Sequence, residues 1–333
     1  MLKITAYGVR ELEEPYFNRL NTAGFDLKFV RDLLTHDNVA EAADADAVLV
    51  RGNCVVDRQN LAKFADWGIK AVFTRSVGFN HMDLQAAADL NIAMARVPGY
   101  SPYAVAELAF TLGMSLFRHV NLAVNQTRQA DFTIGKALFS KEIHTATVGI
   151  MGAGRIGLTE AKLYQGLGAH VLGYDPYPSP AAKAAIELVD LPTLLAQSDI
   201  VSIHVPYFPG KNDNLADADF IAQMKPGAVL INTARGELAS VPAVLAGLKS
   251  GQLSGYGADV ILDEVAILGK KFPRLEDLPN PEVRQLLAAY PQVLITPHVG
   301  SYTEPALEDM IRISYENFQE FFATGQTANA IQA

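Results

Sequence analysis

The sequence predicts an α/β protein made of two doubly wound parallel-sheet domains with a cleft between them. Three observations predict it. Short apolar, β-rich runs alternate with helical stretches from end to end, a pattern that calls for parallel strands joined by crossover helices. The alternation comes in two series, separated by the Pro/Gly-rich stretch Val97-Pro98-Gly99-Tyr100-Ser101-Pro102. The length of 333 residues is about twice the ~150 residues of a common single domain.

In the first series, residues 2–7, 27–30, 47–50, 71–74 and 92–95 read as buried strands, with helical patterns such as 11–23 and 57–67 between them. Pro98 and Gly99 break the last strand. Ser101 is suited to cap a new helix, with Pro102 at its first position. The second series has strands at 147–151, 171–174, 200–205, 228–232, 254–258 and 293–296. Six strands joined by helices match a dinucleotide-binding Rossmann sheet. The final helix, 304–323, has no strand of its own and is expected to return to the first domain. The expected division is therefore 1–101 with 300–333 as a discontinuous substrate-binding domain, and 102–299 as a nucleotide-binding domain.

Composition excludes several function classes. Lys and Arg number 27 against 36 Asp and Glu, a net charge of −9, without basic runs. Such a surface suits neither nucleic acid nor anionic membranes. Cys54 is the one cysteine, so no internal disulfide forms, in keeping with a reducing compartment. The N-terminus lacks the features of a signal peptide. The longest apolar run, 104–117, contains Glu107, ends at Arg118-His119 and is too short to span a bilayer. A cytoplasmic protein is expected. No His-x-x-x-His pair is present, so no metal site is expected, and the absence of Gly-x-Ser-x-Gly gives a hydrolase no support.

Gly152-Ala153-Gly154-Arg155-Ile156-Gly157 fits G-x-G-x-x-G, directly after an apolar strand and at the start of a helical stretch. In that context the glycines serve a tight turn, close approach of backbone to pyrophosphate, and close helix–strand packing. The helix N-terminus favours negative charge. Eighteen residues after Gly157, the next strand ends in Asp175. A carboxylate there accepts hydrogen bonds from a ribose diol and repels a 2′-phosphate, which points to NAD rather than NADP.

Ligands of open α/β sheets bind beyond the carboxyl ends of the strands. There the second series offers His204-Val205-Pro206, Asn232-Thr233-Ala234-Arg235-Gly236, Asp259 with Asp263-Glu264 close after, and Thr296-Pro297-His298. An arginine, a glutamate and a histidine on the nucleotide edge suit 2-oxoacid reduction. Arg235 would hold a carboxylate bidentately. His298 would donate a proton to the carbonyl oxygen. Glu264 would pair with His298 and keep it protonated. The other histidines, including His204, read as structural.

On these motifs the chain resembles the D-isomer-specific 2-hydroxyacid dehydrogenases, in the branch of D-lactate and D-hydroxyisocaproate dehydrogenases. Thr74-Arg75-Ser76-Val77-Gly78, Met224-Lys225-Pro226-Gly227-Ala228, Gly257-Ala258-Asp259-Val260 and Ile295-Thr296-Pro297-His298 carry the likeness further, end to end. The resemblance implies a flavodoxin-like catalytic domain beside the Rossmann domain. It implies that Arg235, Glu264 and His298 are the catalytic group, and that the Val77 and Gly78 N–H groups, with Tyr100, meet the substrate. It further implies cofactor contacts from Arg155, Ile156, Asp175, Val205, Pro206, Asn212, Thr233, Ala234 and Asp259. A homodimer formed through the nucleotide-binding domain is also implied. One departure is the stretch Ile261-Leu262-Asp263 before Glu264, where relatives often have Tyr-Glu. Another is a helical stretch after Pro206 that reads one residue long.

Two positions bear on the substrate side chain. Arg51 ends the strand 47–50, where D-lactate enzymes of the branch tend to have an aromatic residue. Ser301 stands where relatives often place Tyr or Phe. A cation and added space suit a second carboxylate, hence 2-oxoglutarate and (R)-2-hydroxyglutarate. The segments 49–54 and 298–303 are also similar to those of (R)-2-hydroxyglutarate dehydrogenase. The alternative is D-lactate- or D-hydroxyisocaproate-type activity on pyruvate or bulkier apolar 2-oxoacids, with Arg51 in an internal salt bridge. A rival of another class is a non-catalytic NAD-binding corepressor or sensor.

Overall fold

The computed structural model describes residues 1–332. The chain divides into two compact units, Met1–Ser101 with Tyr302–Ala333, and Pro102–Ser301. Each is described by itself.

The first unit has five parallel strands, β1 (Lys3–Tyr7), β2 (Asp26–Val30), β3 (Ala47–Val50), β4 (Ala71–Thr74) and β5 (Ala93–Ala95), in the order β2-β1-β3-β4-β5. This is the flavodoxin-like order, whose switch point lies between β1 and β3. β3 and β4 are buried throughout, as parallel strands covered on both faces must be. The alternating pleat sends Val48 and Val50 into one core with Phe64 and Leu61, and Leu49 and Phe73 into the other with Phe17 and Phe318. The helix Glu304–Thr324 covers that second face. Phe318 stacks on Phe73 at 4.6 Å, and the Tyr315 hydroxyl donates to the Phe17 carbonyl at 3.0 Å. Burying rings such as Phe318 contributes about 2–3 kcal/mol each, which is why this helix returns to the first unit. The helical pattern 11–23 condenses to one 3₁₀ turn and the helix Glu14–Leu20, because Asn21 turns back through its side chain onto Phe25.

The second unit has seven parallel strands: β6 (Thr147–Met151), β7 (His170–Tyr174), β8 (Glu187–Leu188), β9 (Ile200–Ile203), β10 (Ala228–Asn232), β11 (Leu253–Ala258) and β12 (Val293–Ile295). Their order is β12-β11-β10-β9-β6-β7-β8. The strand missed by the sequence reading is β8, a two-residue edge strand without an apolar run. Strand β9 stops at Ile203, so His204-Val205-Pro206 already belongs to the loop. No helix forms directly after Pro206. Asn212 instead closes a turn, donating to the Pro206 carbonyl at 2.8 Å and accepting from Phe208 N–H at 2.7 Å. The helix Pro102–Phe117 lies against β10 and β11, where Gly255 and Gly257 let Leu116 and Leu112 approach. Among the described residues no helix is long and apolar enough to cross a membrane.

Candidate active site

In an all-parallel sheet every strand ends on one edge, so all the loops expected to carry chemistry leave the same side of the second unit. The switch point falls between β6 and β9. There Gly152 (φ +98°) rests on the peptide between His204 and Val205; a Cβ on it would come within 2.7 Å of the His204 carbonyl carbon and oxygen. A Cβ on Gly157 would lie 2.2 Å from the Gly152 carbonyl oxygen, whereas Gly154 faces open space. Thus Gly152 and Gly157 are packing glycines, and Gly154 leaves a clear approach to the helix Arg155–Gly166. No side chain caps the start of that helix, and a helix N-terminus favours an anion. Ile156 lies in that first turn. Asp175, just after β7, accepts from Ala153 N–H at 3.0 Å and Tyr177 N–H at 2.8 Å. Its carboxylate is thereby aimed at the loop edge. A bare helix terminus, an open glycine and a tethered carboxylate fit the pyrophosphate and ribose of a dinucleotide.

Three further segments interlock on the same edge. Arg235 follows β10, and its guanidinium donates to its neighbour's carbonyl at Ala234, 2.6 Å away. No other acceptor meets it among the described residues. The turn is held by Asn232, which donates to the Arg235 carbonyl and accepts from Ala234 N–H. Thr233 is buried, with its hydroxyl unpartnered. Gly236 lies flat on the Ile261-Leu262 backbone, where a Cβ would come within 2.3 Å of a carbonyl carbon. Ile261 N–H in turn donates to Glu264 Oε1 at 3.2 Å, and Glu264 Oε2 is 2.8 Å from His298 Nδ1. Asp263 takes no part, since Asn280 donates to it at 2.6 Å. His298 Nε2 has no partner among the described residues. The histidine is 38 % exposed and the glutamate 17 %.

Asp259, after β11, anchors the histidine turn. It accepts from Thr296 Oγ1 at 2.5 Å, Val299 N–H at 2.9 Å and Gly300 N–H at 2.7 Å. Burial pushes its carboxyl above the ordinary range against the pull of these donors. These bonds hold His298 in the left-handed region (φ +55°), which a histidine adopts only when its surroundings fix it. An imidazole braced by a carboxylate, with its far nitrogen open, can pass a proton to a bound oxygen. A guanidinium with spare donors can grip a carboxylate.

Comparison with known proteins agrees with this chemistry. Residues 110–300 match the family model described as D-isomer specific 2-hydroxyacid dehydrogenase, NAD binding domain. A 2-hydroxyacid dehydrogenase A from Aspergillus oryzae is 34 % identical over 99 % of this chain and 95 % of its own. The chain belongs to the D-isomer-specific 2-hydroxyacid dehydrogenases. It is an NAD-dependent oxidoreductase. Among solved structures, a D-lactate dehydrogenase from Treponema pallidum superposes with a TM-score of 0.90 at 30 % identity, covering all of both chains. A D-lactate dehydrogenase with NAD+ from Lactobacillus jensenii gives 0.87 at 32 %, again covering all of both.

The first unit of this dehydrogenase carries its own set of groups. Val77 and Gly78 follow β4, and their N–H groups have no acceptor among the described residues. Tyr100 is half-buried before the break between the units, and Ser301 is half-buried beside Gly300 at the end of the second. Arg51 follows β3 at the β1/β3 switch point; a Cβ on Gly8 would come within 2.7 Å of its side chain. Its guanidinium makes no hydrogen bond or ion pair among the described residues. Burial, then the charges of Arg10 and Arg75, lower its pKa to about 10. Sequence reasoning missed the ring of charge around it. Arg75 donates to Glu13 at 3.0 Å and to the Gly8 carbonyl at 2.9 Å, and Arg10 also reaches Glu13. One carboxylate thus stands among three cations. Arg75 was visible in the Thr74–Gly78 motif, but nothing in the sequence paired it with Glu13.

Proposed function

We propose that the chain reduces a 2-oxoacid to the (R)-2-hydroxyacid with NADH, in the manner of a D-lactate dehydrogenase. The carrying observation is His298, held by Glu264 through Nδ1 with Nε2 open. In this reading Arg235 binds the substrate carboxylate, and the Val77 and Gly78 N–H groups are the substrate donors of the first unit. When bound, the nicotinamide supplies the hydride. His298 gives its Nε2 proton to the oxygen that becomes the hydroxyl, and Glu264 stabilises the charge on the ring beforehand. Asp175, Ile156 and the loop glycines bind the dinucleotide, and Val205, Pro206, Asn212, Thr233 and Ala234 line its edge of the sheet. Asp259 acts by holding the histidine turn. The first unit is the substrate-binding domain and the second the nucleotide-binding domain. The test is loss of the NADH absorbance band with pyruvate, phenylpyruvate, 2-oxoisocaproate, oxaloacetate and 2-oxoglutarate, and D- but not L-lactate oxidation in reverse. NADH binding without turnover on any of them would favour a sensor or corepressor instead.

A second reading concerns the substrate side chain, and Arg51 supports it. A half-buried guanidinium without a protein partner, flanked by two other cations, is costly unless an anion joins it. Its place at a switch point is where such sheets bind ligands. This favours a dicarboxylic 2-oxoacid such as 2-oxoglutarate, with Ser301 leaving space.

Assembly as a homodimer through the nucleotide-binding unit is supported by apolar side chains after the helix Val120–Arg128. Phe132, Ile134 and Phe139 are 78, 94 and 86 % exposed, three large apolar side chains close together in the sequence, and exposed apolar surface that forms a patch marks interaction sites. Replacing Ile134 and Phe139 by Asp should give monomers in sedimentation equilibrium if this face is the interface.

A further inference from the structure

Beneath the phosphate-binding loop lies an ionisable pair that the proposed chemistry does not use. Glu160 sits on the helix Arg155–Gly166 that starts from this loop, and its side chain is wholly buried. One of its oxygens, Oε2, is hydrogen-bonded to His204 Nε2, whose side chain is 3 % exposed. Ser202 Oγ stands 3.1 Å from the same nitrogen. His204 belongs to the switch-point loop itself. Its N–H donates to the Met151 carbonyl at 2.7 Å, and its peptide to Val205 is the surface on which Gly152 rests. The pair therefore ties the helix on one side of the loop to the strand end on the other.

Stability gives little reason for it. Glu160 Oε1 has no hydrogen-bond partner, and neither has the buried Tyr164 hydroxyl one turn along. Burial and the Glu160 charge push that phenol well above its ordinary value. Native proteins leave few such atoms unsatisfied. Apolar residues of similar volume often replace a buried ion pair without loss, and sometimes with gain. What an apolar pair lacks is direction: a bond to one ring nitrogen fixes where the His204 backbone lies.

We propose that Glu160 is a positioning residue for dinucleotide binding: by holding His204 Nε2 it fixes the His204–Val205 peptide, and with it the Gly152 turn that receives the pyrophosphate. This rests on the use of NAD and not on the assignment of Arg235, Glu264 or His298, so it can fail while those stand.

The test compares Glu160→Leu and Glu160→Gln with wild type in NADH fluorescence titration, steady-state kinetics and thermal unfolding. Glu160→Leu should weaken NADH binding about tenfold, the size expected when one charge-assisted hydrogen bond supporting a site is lost. Its KM for NADH should rise more than its kcat falls; removing one partner of a buried pair also lowers Tm, so binding is measured well below the unfolding transition. Glu160→Gln keeps an oxygen for the ring N–H and should recover most of the affinity. A Leu variant that binds NADH within twofold of wild type, or a Gln variant no better than Leu, overturns the proposal. If Glu160→Leu does not fold, Glu160→Asp decides: it keeps the carboxylate but draws it back from His204 Nε2, and weakened NADH binding by the folded variant supports the proposal, whereas binding within twofold of wild type overturns it.

Discussion

Both units place an acidic–basic pair at the carboxyl edge of a parallel sheet, and the two pairs are built to opposite ends. In the first unit Glu13 and Arg75 are 3 and 4 % exposed and spend their bonds on each other, on Arg10 and on backbone. In the second, Glu264 and His298 are 17 and 38 % exposed, and one ring nitrogen is left open. A pair buried and bonded within its unit is scaffold; a pair at the surface with one ring nitrogen spare is poised to react. The same contrast holds between Arg75 and Arg51, neighbours in one unit, of which only the first has a partner.

The largest effect that would break the contrast is on turnover. His298→Ala should lower kcat by roughly 10²–10⁴-fold, the worth of a general acid, while NADH affinity changes little; near-normal turnover would remove His298 from its proposed role. Next is stability. Glu13→Leu leaves Arg75 buried without its carboxylate and should cost about 3 kcal/mol in urea unfolding. Burial alone would push the Glu13 carboxyl up, but Arg75 and Arg10 together hold it below the ordinary value. The stability it gives is therefore present above the usual glutamate range and is lost as pH falls through the lower folded value. Unfolding curves from pH 7 down to about pH 3 should show this slope in wild type and lose it in the variant.

Smaller effects sharpen the picture. Asp175→Asn removes the charge and keeps an acceptor for only one of the Ala153 and Tyr177 N–H groups, which bond to different oxygens. It should cut the preference for NADH over NADPH by about tenfold, since one charge–charge repulsion near the surface is worth ~1 kcal/mol or a little more. Arg51→Gln should lower the ratio of 2-oxoglutarate to pyruvate efficiency by several-fold, in the range of an exposed to half-buried ion pair. An unchanged ratio would assign Arg51 to the scaffold beside Arg75.

The parts legible in the sequence were those with a local signature. The strands of both sheets are apolar runs, and only β8, two residues on an exposed edge, lacked one. Gly152-Ala153-Gly154 and Asp175 announced themselves by spacing from the strands before them. The loop after Pro206 misled, because Asn212 caps it through its side chain and such a turn leaves no periodicity. Glu13 with Arg75, and Glu160 with His204, were hidden for another reason. Each joins residues 62 and 44 positions apart, and no pattern in one sequence records a partner at such a distance.

The sequence alone determined the alternation of strand and helix, the phosphate loop and the edge on which the reactive side chains emerge, because periodicity and turn chemistry act over a few residues. Tertiary structure decided which groups meet. It set Glu264 rather than Asp263 on the imidazole, spent Asp259 on the histidine turn, and left Arg51 without a hydrogen-bonded partner among the described residues while Arg75 took Glu13. Those choices depend on burial and on distances between remote segments, which exist only once the sheets have formed.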